Sequence, residues 1–253
     1  MNTEISKQTS FRALTMVFMV AVLFLGTSLR AEILYSEDFE GTGGLNGTTP
    51  DTRSGDFGSS DTAVWEASTA FDAAGDIRTS RAQSASLTFV PQTGKIYELS
   101  ADFDGTNPSS YHPTAQISLG FSQSASTTEN FNKNNGQPWM HINSISGANE
   151  GGYKPGDGST GGTFATTTTW MNLKILLDTQ DTFWTVKWYL NDTQVGTHTY
   201  TDNPTINYVG FAGSQNARGK IDNFQLAVIP EPGSLALLAL ALPLLFFFAR
   251  RKG

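Results

Sequence analysis

From residue 85 onward the chain reads in twos. Ala85, Leu87 and Phe89 alternate with polar or small neighbours. So do Tyr97, Leu99, Ala101 and Phe103, and then Ala115, Ile117, Leu119 and Phe121. A period of two puts one face of a strand in a core and the other in water. Ile33-Leu34-Tyr35 opens the series, and 139–145 extends it. Leu173, Ile175 and Leu177 then alternate against Asn172, Lys174 and Asp178. The strongest strand is 183–190, with Trp184, Val186, Trp188 and Leu190 on one face. Asn191-Asp192 is its turn and 194–200 the returning arm; 206–211 and 220–228 close the pattern. Gly, Asn, Ser, Thr, Asp and Pro fill the intervals, as turns require. Before residue 230 no helical apolar stripe lasts three turns. The expectation is roughly ten to twelve short strands in an all-β sandwich or barrel. Two Gly/Ser/Thr-rich intervals, 41–60 and 147–162, are too long for hairpin turns, and loops of that length are usually functional or mobile.

The two ends break this pattern. Lys7 and Arg12 precede an apolar run at 13–25, and Leu29-Arg30-Ala31 offers a small residue at a cut position; Ser28 offers another. Residues 1–31 therefore read as a signal peptide for Sec export, the alternative being an uncleaved anchor. At the other end, Pro230-Glu231-Pro232-Gly233-Ser234 leads into an apolar run at 235–249 and then Arg250-Arg251-Lys252. Fifteen helical residues reach about 22 Å, against about 30 Å of hydrocarbon. Gly233, Ser234 and snorkelling arginines bring the segment close to spanning. Pro243 is tolerable there, and the basic end marks the cytoplasmic side. The bulk of the chain then lies outside. A permanent tail anchor is the alternative. A buried C-terminal helix fits less well, because Phe246-Phe247-Phe248 abuts the basic cluster.

The order Pro230-Glu231-Pro232, apolar run, Arg250-Arg251-Lys252 resembles a PEP-CTERM sorting signal. The resemblance covers the last 24 of 253 residues. It implies a membrane-embedded exosortase as partner and removal of the tail. It implies a brief stay in the inner membrane, and then the cell surface or extracellular matrix of a Gram-negative bacterium. It implies nothing about the domain that is sorted, because proteins sharing the tail carry unrelated domains.

That domain is 32–229, long enough to bury a core; 230–253 is the sorting segment. It holds 10 Lys+Arg against 21 Asp+Glu, a formal net charge of −11. An acidic domain with no basic stripe is a poor partner for nucleic acid or anionic membrane. The chain has no cysteine, which excludes disulfides, thiol catalysis and thiolate metal sites.

The hairpin 172–201 and the closing segment VGFAGSQNARGKIDNFQL resemble the jelly rolls of the concanavalin and laminin-G-like superfamily. The resemblance implies an antiparallel jelly-roll β-sandwich, flanked here by the signal peptide and the C-terminal membrane helix. The fold hosts lectins, hydrolases, lyases and spacers, so it assigns no activity. Glycosidases of this shape place carboxylates on one strand face. Here the close same-face acidic pairs are Asp38/Glu40 and Asp102/Asp104, neither extended to a triplet. His112, His141 and His198 stand apart, and no metalloprotease or nucleophile-elbow motif occurs. A Ser-His-Asp site assembled from distant segments stays open. His141, inside an alternating strand, reads as half-buried.

Glu40 and Asp222 resemble the early and late acidic positions that hold a structural Ca2+ in carbohydrate-binding modules of this shape. Backbone carbonyls and water would have to complete the six to eight oxygens calcium requires. The alternative leaves both as ordinary strand-end acids. The face opposite the Trp184 side carries Phe183, Thr185, Lys187 and Tyr189, with Tyr111, Trp139, Tyr153 and Trp170 elsewhere. Aromatic rings offer sugars a flat apolar face, although most aromatic residues serve a core. Tyr189, Phe183 and Trp139 are the carbohydrate-binding candidates. The reading is an exported, non-catalytic β-sandwich for adhesion or polysaccharide binding. The alternatives are a structural matrix protein without sugar specificity, and a polysaccharide hydrolase or lyase dependent on Asp102 or Asp104.

Overall fold

A computed structural model describes residues 31–104, 115–128, 136–143, 150–167 and 170–229. The signal peptide, the sorting residues and the apolar tail lie outside the described residues. Glu32–Ile229 forms one compact unit, and every regular element described in it is a strand.

In chain order these are β1 (Glu32–Glu37), β2 (Thr52–Arg53), β3 (Glu66–Ala67), β4 (Asp76–Arg78) and β5 (Gln83–Thr88). Next come β6 (Ile96–Asp104), β7 (Gln116–Ser122), β8 (Gly136–Asn143), β9 (Glu150–Lys154) and β10 (Gly162–Ala165). The last are β11 (Met171–Asp178), β12 (Thr185–Leu190), β13 (Thr193–Thr199), β14 (Tyr208–Ser214) and β15 (Arg218–Ile229). One sheet has the order β13-β12-β11-β6-β15-β1-β2, with β4 also on β15; the other has the order β10-β9-β8-β7-β14-β5-β3. All strand pairs are antiparallel. This is the jelly-roll sandwich.

Alternation explains the layers. Tyr97, Leu99, Ala101 and Phe103 of β6, with Leu173, Ile175 and Leu177 of β11, turn inward from the first sheet. Ile117, Leu119 and Phe121 of β7, with Val209 and Phe211 of β14, meet them from the second. Rings tie the layers together. Phe89 contacts Tyr97 edge-on at 5.1 Å, Trp65 contacts Phe224 at 5.1 Å, and Tyr153 stacks on Trp188 at 4.7 Å. Each such pair contributes about 0.5–1.5 kcal/mol beyond its buried area.

Fifteen strands among the described residues exceed the expected number: β2, β3 and β4 are too short to show a period, and glycine hides the pattern in β9 and β10. The interval expected as a loop at 147–162 is mostly a β9–β10 hairpin. Side chains at Gly151 and Gly152 would strike the rings of Phe164 and His141, so those inward and outward positions stay bare. The hairpin tip is fastened to the far sheet. Asp157 Oδ2 lies 2.8 Å from His198 Nε2, and the Tyr200 hydroxyl donates to the Pro155 carbonyl at 2.9 Å. The interval 41–60 is laid down as well. Leu45 is buried, and its N–H donates to the Phe71 carbonyl; Ser60 N–H donates to the Tyr35 hydroxyl at 2.6 Å.

Candidate functional site

The acidic residues near the first strand converge differently from the sequence expectation. β1 carries Glu37 inward, where it is 8% exposed. Trp65 Nε1 donates to its Oε2 at 3.1 Å, and Phe39 N–H to its Oε1 at 3.2 Å. Burial pushes this carboxyl above its usual range, the Trp65 bond opposes the shift, and the charge of Asp51 adds to it. Carboxylate oxygens of Glu37, Asp38 and Asp51 lie within 4.8 Å of one another. Neither Glu40 nor Asp222 belongs to a group of three such ligands among the described residues. Glu40 is exposed beyond β1, and its N–H donates to Asp38 Oδ1. Asp222 lies on β15 directly opposite Asp102 of β6. The charge that gathers is on β1 and the segment facing it, because Asp38 N–H donates to Asp51 Oδ2 at 2.9 Å.

The aromatic candidates divide between two surfaces. Tyr189 of β12 faces outward from the first sheet, half-buried, its hydroxyl donating to Gln194 Oε1 at 3.3 Å. Phe183 precedes the same strand and is 53% exposed. Trp139 of β8 faces outward from the second sheet, on the opposite side of the sandwich. One platform cannot use all three. Trp139 is also only 4% exposed, packed with Ala212 and tilted against His141 at 5.2 Å. Small neighbours cause this. Gly120 lies opposite Trp139 in the ladder, and a Cβ there would come within 2.6 Å of the Trp139 Cβ. The indole therefore settles onto the sheet instead of standing up from it.

His141 shares this face, opposite Ser118, with Ala212 and Ser84 continuing the row. Its Nδ1 is buried without a hydrogen-bond partner. Burial, with the charge of Lys154 adding to it, lowers its pKa to about 4. The imidazole is neutral at pH 7. No carboxylate lies in this row or in the neighbouring Trp139–Gly120–Gly210–Ser86 row, until Glu66 at the edge strand β3.

Asp102, considered above as half of a catalytic pair, is engaged by two asparagines. Asn172 Nδ2 donates to Oδ1 at 2.8 Å and Asn223 Nδ2 to Oδ2 at 2.9 Å. Sequence reasoning missed this set, the Glu37–Trp65 bond and the Asp157–His198 pair. Each joins residues far apart in the chain, and only the sheet register brings them together.

Two antiparallel sheets in this order define a jelly-roll β-sandwich. Solved structures are similar to the chain. An endo-1,3-β-glucanase from Streptomyces sioyaensis aligns over 79% of this chain and 97% of its own at 14% identity, with a TM-score of 0.50. The VIP36 exoplasmic/lumenal domain, in a Ca2+/Man2-bound form, aligns over 80% and 90% at 13% identity and 0.46. A galectin-like protein of unknown function from Bacillus subtilis aligns over 79% and 98% at 11% and 0.41. No curated protein matches the chain. The model described as the PEP-CTERM protein-sorting motif matches residues 228–252. The chain carries that motif at its C-terminus, and the motif marks an exported protein.

Proposed function

We propose that the chain is an exosortase substrate that presents a non-catalytic β-sandwich at the cell surface or in the extracellular matrix, where it binds polysaccharide. The observation that carries the reading is the sorting motif at 228–252, attached directly to the last strand of a jelly-roll domain. The signal peptide at 1–31 delivers the chain to the Sec machinery. The tail at 230–253 then holds it in the inner membrane until exosortase acts. Pro230, Glu231 and Pro232 are the recognition residues, and Arg250, Arg251 and Lys252 stop transfer.

A binding role is favoured over a hydrolytic one by the disposition of acids. The central rows of the second sheet's outer face present Ser, Gly, Ala, Trp and His rather than paired carboxylates. On the first sheet both oxygens of Asp102 already accept amide hydrogens. A calcium ion, where the domain takes one, has a structural role; the converging oxygens of Glu37, Asp38 and Asp51 serve it better than Glu40 and Asp222.

Two measurements test the reading. The intact mass of the protein recovered from the cell surface should lack everything beyond roughly Pro232; retention of the Arg250-Arg251-Lys252 end overturns the sorting half. Incubation with a polysaccharide panel should give binding without release of reducing ends. Product release that disappears in Asp102→Ala would make the domain a hydrolase or lyase instead.

A further inference from the structure

The outer face of the first sheet carries an ordered polar set at the Asp104 end of β6. Asp102 stands between Asn172 of β11, directly opposite it in one ladder, and Asn223 of β15. Asn172 is fixed in turn. Its N–H donates to Asn191 Oδ1 at 2.9 Å, and the Asn191 N–H returns to the Asn172 carbonyl at 2.9 Å. Asn223 sits in the irregularity where β15 slips against β6, with φ at 51°. Asparagine tolerates that left-handed conformation better than most residues. Its N–H donates to Asp222 Oδ1 at 2.7 Å. A bulge re-aims a side chain, and here the Asn223 amide reaches Asp102.

Trp170 lies one residue before β11, on the same alternation as Asn172. Two residues along a strand are about 7 Å apart. The indole is 45% exposed. An exposed flat ring thus stands one alternation step along the chain from Asn172, whose amide, like that of Asn223, is bonded to the Asp102 carboxylate. Each amide has a second N–H and a carbonyl oxygen, and a carboxylate accepts more bonds than two. Donors and acceptors in fixed positions next to an aromatic plane suit vicinal hydroxyls above and a C–H face below. Asp222 opposite Asp102, and Asp104 next on the same face, add negative charge that Lys220, opposite Asp104 and 3.7 Å from Asp76, offsets only in part. An anionic sugar is repelled there and a neutral one is not.

We propose that Trp170, Asp102, Asn172 and Asn223 form a binding site for a neutral, hydroxyl-rich polysaccharide. The site rests on the polysaccharide-binding reading above and moves it away from Tyr189, Phe183 and Trp139. The ring stacks on a sugar face, Asn172 and Asn223 exchange hydrogen bonds with its hydroxyls, and Asp102 holds both amides in register. Preorganised groups lose little freedom on binding.

The test is electrophoresis of the full-length chain, in detergent, through gels containing laminarin, galactomannan or alginate. Laminarin or galactomannan should retard the wild type and alginate should not. Trp170→Ala should weaken retardation by about tenfold, the effect of losing one good aromatic contact. Asn223→Ala should weaken it too, while Tyr189→Ala and Phe183→Ala migrate as wild type. Trp170 is exposed, so its variant should keep the wild-type unfolding midpoint. If Trp170→Ala and Asn223→Ala are retarded like the wild type, the site is elsewhere and polysaccharide binding stands. If no gel retards the wild type, polysaccharide binding falls and the site with it. Retardation by alginate alone overturns the neutral class.

Discussion

Glu37, buried, and His141, half-buried, are ionisable groups whose effects on stability run in opposite directions. Burial raises the Glu37 carboxyl above 4.5, with Trp65 opposing the shift and Asp51 adding to it. The folded chain therefore holds this proton more tightly than the unfolded chain. The stabilisation is fully present below pH 4.5 and is lost as pH rises through the raised value. Glu37→Gln keeps an acceptor for Trp65 and cannot ionise. It should flatten this loss in a series of thermal midpoints against pH, and raise the midpoint at pH 7. Glu37→Ala should lower the stability by about 1–3 kcal/mol, because the buried Trp65 N–H loses its acceptor. His141 has the reverse sign. Its value falls from 6.5 to about 4. Its contribution is present above pH 6.5 and is lost as pH falls through about 4, amounting to about 3 kcal/mol at most. His141→Gln should remove that acid sensitivity; an unchanged acid limb would mean that the ring binds its proton equally well in the folded and unfolded chain.

Elements with large side chains were legible before any coordinates, and elements made of glycine were not. β6, β7, β11 and β12 put Leu, Ile, Phe or Trp at every second position, so period two shows. β2, β3 and β4 have two or three residues each, too few for a period. In β9 and β10 the inward positions include Gly151 and Gly162, and Tyr153 and Phe164 fill the space from neighbouring positions. Gly151→Ala should therefore cost about 1–3 kcal/mol by overpacking. Gly44→Ala, where a side chain meets nothing within 4 Å, should change stability by less than about 0.5 kcal/mol. Equal midpoints for the two variants would show that the hairpin yields freely. The aromatic candidates were legible in part for the same reason. Alternation put Tyr189 on the face opposite the Trp184 side, but it does not say which strands share a sheet. Nor does it reveal that Gly120 and Ala212 let the Trp139 ring sink. Asp102, Asn172 and Asn223 could not be grouped from the sequence, since their meeting depends on two ladders and a slip between Asp222 and Gln225.

At the scale of the whole molecule, an acidic, cysteine-free domain depends on its core rather than on disulfides to stay folded after export. Comparing the midpoint in millimolar calcium with that in chelator tests the Glu37–Asp38–Asp51 position. An upward shift abolished by Asp51→Asn supports it, and identical midpoints would remove calcium from the account. The ladder of β15 has a mechanical side as well. β1 begins where β15 ends, Glu32 facing Val228, and Ile229 lies against Ile96. The Asp102 set is near the other end of β6, about 20 Å along the strand. A tether at Ile229 and a load near Asp102 would therefore pull along β15 and β6, so that the hydrogen bonds between them share the force side by side. Pulled instead from Glu32 and Ile229, the same sheet would open from one end, bond after bond. The domain should hold far more tension in the first direction than in the second.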